Sequence, residues 1–169
     1  MDIETVSYFD GGCGPKGQAT YGAIVRNKEG KTLFQESVYV GCGPEMSCNV
    51  AEYAGVIAVL RFLLKNHISQ GVIYGDSKLV VQQLNGKWKV RRGLYYKWAK
   101  EAQNLKQQLP KVVLRWIPRE RNREADYLAG QAKPSAVRTK RKLEIAKLAR
   151  EQWADQLATA RRERKTWRI

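Results

Sequence analysis

Four carboxylates carry the clearest chemical signal in this chain: Asp10 in Phe9-Asp10-Gly11-Gly12, Glu52 in Asn49-Val50-Ala51-Glu52, Asp76 in Gly75-Asp76-Ser77, and Asp126 four residues after Asn122. Any one acid in a basic chain reads most simply as a solvated surface charge. Their company changes that reading. Asp10 and Asp76 stand at the ends of expected strands, beside glycines that let a backbone come close. Glu52 is expected on the first turn of a long helix, and Asp126 early in the last helix of the core. Carboxylates at adjacent strand ends can converge on one small volume, where their repulsion is unfavourable until divalent cations neutralise it. Hard oxygen donors without His or Cys suit Mg2+, with Mn2+ as the alternative, rather than zinc. Two such ions about 3.5–4 Å apart would align a water and stabilise the leaving 3′-oxygen of a phosphodiester.

The elements that must position these acids can be read from periodicity. Glu4 to Phe9 is rich in β-favouring residues and runs into the chain-bending Asp10-Gly11-Gly12-Cys13-Gly14-Pro15, a strand ending in a loop. Thr20–Arg26 and Thr32–Val40 follow as strands, joined by the hairpin-like Asn27-Lys28-Glu29-Gly30. From Ser47 to Lys65 apolar residues recur at helical spacing, with Ser47 or Asn49 as the cap. Val72–Tyr74 is a short strand, Ser77–Leu84 a helix, Gly86–Gly93 a basic loop and Leu94–Leu109 a helix closed by Pro110. Val112–Ile117 is a strand and Asn122–Ala132 a helix. Local hairpins followed by strand–helix crossovers imply a mixed sheet with helices on its faces.

The string Tyr8-Phe9-Asp10-Gly11-Gly12-Cys13-Gly14-Pro15, the Asn49/Glu52 pair opening a helix, Gly75-Asp76-Ser77, and Asn122/Asp126 followed by Leu128-Ala129 occur in order and register. Together they resemble ribonuclease H type 1, and are also similar to the ribonuclease H domains of reverse transcriptases, over residues 1 to about 133. The resemblance implies an α/β ribonuclease H-like fold with a five-stranded mixed sheet flanked by helices. It implies an endoribonuclease that hydrolyses the RNA strand of RNA–DNA hybrids, leaving 5′-phosphates, with Asp10, Glu52, Asp76 and Asp126 holding two Mg2+ ions. It further places the backbone of Gly11, Gly12 and Cys13, with Asn49, in the hybrid's minor groove against RNA 2′-hydroxyls, and makes Ser47 a candidate for DNA phosphates. Many relatives carry a histidine in a loop before the last aspartate. Here Arg119 and Glu120 occupy roughly that place, with Asn122 as a further auxiliary candidate. The same four acids would also serve a nuclease for double-stranded RNA or DNA junctions. A hybrid-binding module without catalysis is the rival from another class, and the intact set of acids speaks against it.

Lysine and arginine number 31 against 16 acids, a net charge of +15, which suits a partner presenting phosphates without separating RNA from DNA. In Gly86–Gly93, Lys87, Trp88, Lys89, Arg91 and Arg92 interleave basic and aromatic side chains as a nucleic-acid clamp does, although a solvated loop would look alike. Lys78 reads equally well as a substrate contact or a solvent-facing charge, and Cys13 also reads as simple packing beside its loop. Three cysteines without paired Cys-x-x-Cys spacing indicate neither a disulfide framework nor a structural zinc site. No apolar run is long enough to cross a bilayer, so the expected protein is cytoplasmic, monomeric and off the membrane. The only histidine, His67, near the end of the long helix, reads as a helix cap or an exposed ring. The domain reading is a catalytic unit over 1–133 and a basic helical extension over 134–169. That extension holds 11 basic and 4 acidic residues, a net +7, and reads as a helix that docks on the core, grips nucleic acid, or meets a membrane surface or a protein partner.

Overall fold

The computed structural model describes residues 4–132 and 134, so the expected basic extension lies outside the described residues. Three strands open the chain: β1 (Thr5–Cys13), β2 (Gln18–Asn27) and β3 (Thr32–Cys42). Then come α1 (Cys48–Lys65), β4 (Gln70–Gly75), α2 (Lys78–Leu84), α3 (Tyr96–Gln107), β5 (Lys111–Trp116), a single 3-10 turn (Arg119–Arg121) and α4 (Arg123–Gln131). The expected element order is the observed one. The strands form one five-stranded sheet in the order β3-β2-β1-β4-β5. Pairing is antiparallel for β1–β2 and β2–β3, and parallel for β1–β4 and β4–β5.

The hairpin between β2 and β3 turns at Gly30, whose φ of +81° is a left-handed conformation that glycine adopts without a Cβ clash. The Asn27 carboxamide oxygen accepts from the Lys31 N–H at 2.8 Å and closes the turn from the side. β1 departs from expectation. Its last three residues, read as the start of a loop, pair instead with β2: Gly11 with Tyr21, Gly12 with Thr20 and Cys13 with Ala19. Asp10 is therefore held inside a strand rather than at its end. Glycines weaken a strand only modestly, and partners already in register outweigh that preference.

α1 is capped by Ser47, whose Oγ accepts from the Val50 N–H at 3.2 Å, and it is buried at ten positions distributed around its axis. Burial on nearly all sides is what a helix packed between a sheet and α3 requires, and α1 packs against β1, β2 and α3. α4 lies directly on the sheet, since a Cβ on Gly22 would come within 2.2 Å of the Ala125 carbonyl oxygen. At the far end of α1, the Ile68 N–H bonds to the Leu63 carbonyl at 2.9 Å and the His67 N–H to the Leu64 carbonyl at 3.2 Å. This is a Schellman end with His67 in the left-handed position at φ 56°. His67 is thus an exposed C-terminal cap residue, as its sequence position suggested. Replacing it by glycine is expected to stabilise the protein by about 0.5–1 kcal/mol in urea unfolding, because a side chain is strained at that φ. A lower midpoint for His67→Gly would contradict this account of the helix end.

Candidate metal centre

β4 stops at Gly75, opposite Phe9, while β1 continues to Cys13. Asp10 through Cys13 are therefore not paired to β4, and the sheet opens at its middle. Open parallel sheets place ligand sites in such gaps beyond strand ends. Asp10 enters the gap from β1. Asp76, the first residue past β4, enters beside it. Its backbone is held by the Trp116 indole, which donates to the Asp76 carbonyl at 3.0 Å, and by the Ile117 N–H to the Gly75 carbonyl at 3.0 Å. Ser77 turns the chain at once into α2, its Oγ accepting from the Val80 N–H at 3.4 Å.

Glu52 arrives from α1, and Gly11 is the reason it can. A Cβ on Gly11 would stand 2.2 Å from the Glu52 nitrogen and 2.5 Å from the Ala51 carbonyl carbon. Helix backbone rests on strand backbone there, which brings the Glu52 carboxylate round to Asp10. Glu52 lies in the second turn of α1, not the first, because the helix begins at Cys48. One carboxylate oxygen from each of Asp10, Glu52 and Asp76 lies within 4.8 Å of the others.

Three acids so close cannot all stay ionised without a counter-charge. Burial first, then the Asp76 charge, a hydrogen bond with Asp76 and the Asp126 charge push Asp10 up to about 8, while Arg119 opposes the shift. Burial, followed by the charges of Asp10 and Asp76, drives Glu52 well above the usual carboxylate range, against a hydrogen bond from the Gly11 backbone. Among the described residues, buried Glu52 Oε2 and Asp76 Oδ1 have no hydrogen-bond partner. Repelling hard oxygens with unsatisfied buried acceptors fit a divalent cation.

The fourth acid is placed differently. Asp126 is not among the three converged acids. Its Oδ1 accepts from Arg119 Nη2 at 2.7 Å across a largely exposed ion pair, although its charge still reaches Asp10. The 3-10 turn that presents Arg119 is absent from the sequence reading, which places Arg119 or Glu120 roughly where relatives carry the loop histidine. Asn122 is a positioning residue. Buried at the N-terminal boundary of α4, it donates from Nδ2 to the Phe9 carbonyl at 2.8 Å and ties that helix to the strand that carries Asp10. Glu120 is exposed beside Arg119.

The proposed substrate contacts come from two groups of elements. Gly11, Gly12 and Cys13 form the end of β1, while Ser47 caps α1 and Asn49 is its second residue, so this group adjoins the acids. Lys87, Trp88, Lys89, Arg91 and Arg92 are exposed on the segment between α2 and α3. Sequence reasoning missed how that segment is held. Buried Gln83 accepts from the Tyr53 hydroxyl of α1 and donates from Nε2 to the Lys89 carbonyl at 2.9 Å. Lys78 stands 5.3 Å from the Trp116 ring centre, a cation–π contact beside Asp76 that spacing alone did not reveal. No helix among the described residues is long and apolar enough to cross a membrane.

The raised carboxylates predict how metal and pH trade against each other. Between the ordinary carboxylate range and about pH 8, the metal-free fold binds more protons than the unfolded chain, so its stability falls as pH rises. A cation competes for the same oxygens. The gain in melting temperature from saturating magnesium is therefore expected to grow from about pH 6 to about pH 9. A gain that shrinks over that range would count against a metal at these acids.

The family pattern matching residues 8–132 is described as reverse transcriptase-like. The bifunctional protein Rv2228c of Mycobacterium tuberculosis H37Rv is 39% identical over 139 residues, covering 81% of this chain and 37% of that protein. The chain thus spans little more than a third of that curated relative. The solved N-terminal RNase H domain of the same M. tuberculosis protein is 36% identical, with a TM-score of 0.71 over 78% of this chain and 100% of the other. LC11-RNase H1, isolated from compost and solved in complex with RNA/DNA hybrid, is 30% identical, with a TM-score of 0.67 over 76% of this chain and 95% of the other.

Proposed function

This chain belongs to the reverse transcriptase-like family and has the fold of ribonuclease H type 1, and from that premise we propose that it is an endoribonuclease hydrolysing the RNA strand of RNA–DNA hybrids. The observation that carries the proposal is the convergence of Asp10, Glu52 and Asp76 with unsatisfied buried oxygens. Asp10, Glu52, Asp76 and Asp126 are the residues that would hold two magnesium ions. When bound, such ions supply an activated water and neutralise charge at the scissile phosphate.

The protein's own part is to position and select. Asn122 and Gly11 hold the elements that carry the acids, and Trp116 holds the backbone at Asp76. Arg119 supplies positive charge to Asp126 and tempers the repulsion at Asp10. The end of β1 with Asn49 offers backbone and amide groups for 2′-hydroxyls, the groups that distinguish RNA from DNA. The basic segment with exposed Trp88 offers phosphate contacts and a stacking face.

The test is a substrate panel of matched sequence, comprising hybrid, RNA duplex and DNA duplex, at one salt concentration. Cleavage confined to the RNA strand of the hybrid is the expected result. Equal cutting of the RNA duplex would replace the proposal with a double-stranded RNA nuclease, and binding of hybrid without cutting would replace it with a binding module.

A further inference from the structure

Cys13 and Cys48 are brought together by the same packing that assembles the acids. α1 crosses β1 in the reverse direction: a Cβ on Gly55 would lie 3.4 Å from Phe9 Cβ, and one on Gly11 lies against Ala51 and Glu52. Each step of two residues along the strand matches three to four along the helix, in accord with their rises of about 3.3 Å and 1.5 Å per residue. The next step pairs Cys13, on the same strand face as Gly11, with Cys48, one helical turn before Glu52. In keeping with that placement, burial first and then the neighbouring Cys13 hold the Cys48 thiol above its ordinary value. Both cysteines are exposed, free and open to reagents.

We propose that Cys13 and Cys48 are a redox-active pair that a low-molecular-weight disulfide oxidises to an intramolecular disulfide, joining the end of β1 to the first turn of α1. One cysteine thiolate attacks the oxidant's S–S bond, forms a mixed disulfide and expels one half of the oxidant. The other, as thiolate, attacks the protein sulfur of that mixed disulfide and expels the second half. Two electrons pass from the pair to the oxidant, and the two cysteine protons end on the released thiols. The bridge would lie between the backbone at Cys13 and Asn49. On the reading that these groups meet the hybrid's 2′-hydroxyls, the closed form binds hybrid less well.

The experiment uses the full chain carrying Cys42→Ser, leaving two thiols, equilibrated in mixtures of reduced and oxidised glutathione. The expected result is loss of both free thiols, a mass lower by two hydrogens with no retained glutathione, and full reversal by dithiothreitol. Cys48→Ser in the same background is expected to stop at a single glutathione adduct. Stable adducts on the two-thiol protein, disulfide-linked dimers alone, or two thiols that persist at every ratio would overturn the pair. In EDTA, the affinity of the closed form for hybrid is expected to fall about tenfold, and an unchanged affinity would overturn the effect on binding. If the reduced protein does not bind hybrid, it is the nuclease reading that fails, and mass and thiol count still decide the chemistry of the pair.

Discussion

Asp10→Asn and Asp76→Asn are each expected to lower hybrid cleavage by at least about 10³-fold while raising the melting temperature of the metal-free protein. A metal ligand worth several kcal/mol of transition-state stabilisation corresponds to about that loss, at 1.36 kcal/mol per tenfold. The stability effect runs the other way because the cluster is self-repelling. Asp10 is pushed up to about 8 by burial and by its acidic neighbours, so above the ordinary carboxylate range the metal-free fold must either protonate it or hold its charge at a cost, and a neutral amide of nearly the same volume removes that cost. A merely structural aspartate would lose stability on the same change. Turnover within tenfold of the wild type at saturating magnesium, or a lower metal-free melting temperature, would remove these residues from a metal site.

Gly11→Ala is expected to be strongly disruptive. Its Cβ would stand 2.2, 2.5 and 2.6 Å from three backbone atoms of Ala51 and Glu52, and backbone inside a packed helix–sheet contact cannot turn aside as a side chain can. Overpacking of this kind costs about 3 kcal/mol or more when the elements must separate. Separation also draws Glu52 away from Asp10, so the magnesium-induced gain in melting temperature should shrink with the stability. Gly130→Ala is the matched control. It sits in α4 with nothing within 4 Å of the added atom, and should be neutral or stabilising by up to about 1 kcal/mol. Similar urea midpoints for the two variants would show that α1 and β1 are not in the contact described.

The order of the elements was legible because the apolar period changes from alternation to helical spacing at Ser47 and back again after His67. Asp10, Glu52 and Asp76 were legible for a related reason: their glycine and asparagine neighbours mark places where backbones meet. What was not legible depends on pairing between distant residues. Gly11-Gly12-Cys13 has no intrinsic strand preference and becomes strand only because Ala19–Tyr21 lie opposite. The hold of Arg119 on Asp126 needs a 3-10 turn whose residues, Arg119-Glu120-Arg121, carry no periodicity of their own. Nothing local tells that the Trp116 indole reaches the Asp76 carbonyl, 40 residues away. Asn122 stood out beside Asp126 by spacing alone. Its grip on Phe9, 113 residues earlier, appears only once β1 and α4 pack together.

The central claim is that these carboxylates make a metal-dependent nuclease for hybrid, and its most direct test is single-turnover cleavage of one end-labelled RNA–DNA hybrid as magnesium is removed and restored. The expected result is cutting of the RNA strand alone, with 3′-hydroxyl and 5′-phosphate ends, abolished by EDTA and recovered in full with excess magnesium. Cleavage that persists in EDTA, or a hybrid left intact at every magnesium concentration by a folded protein, would contradict it.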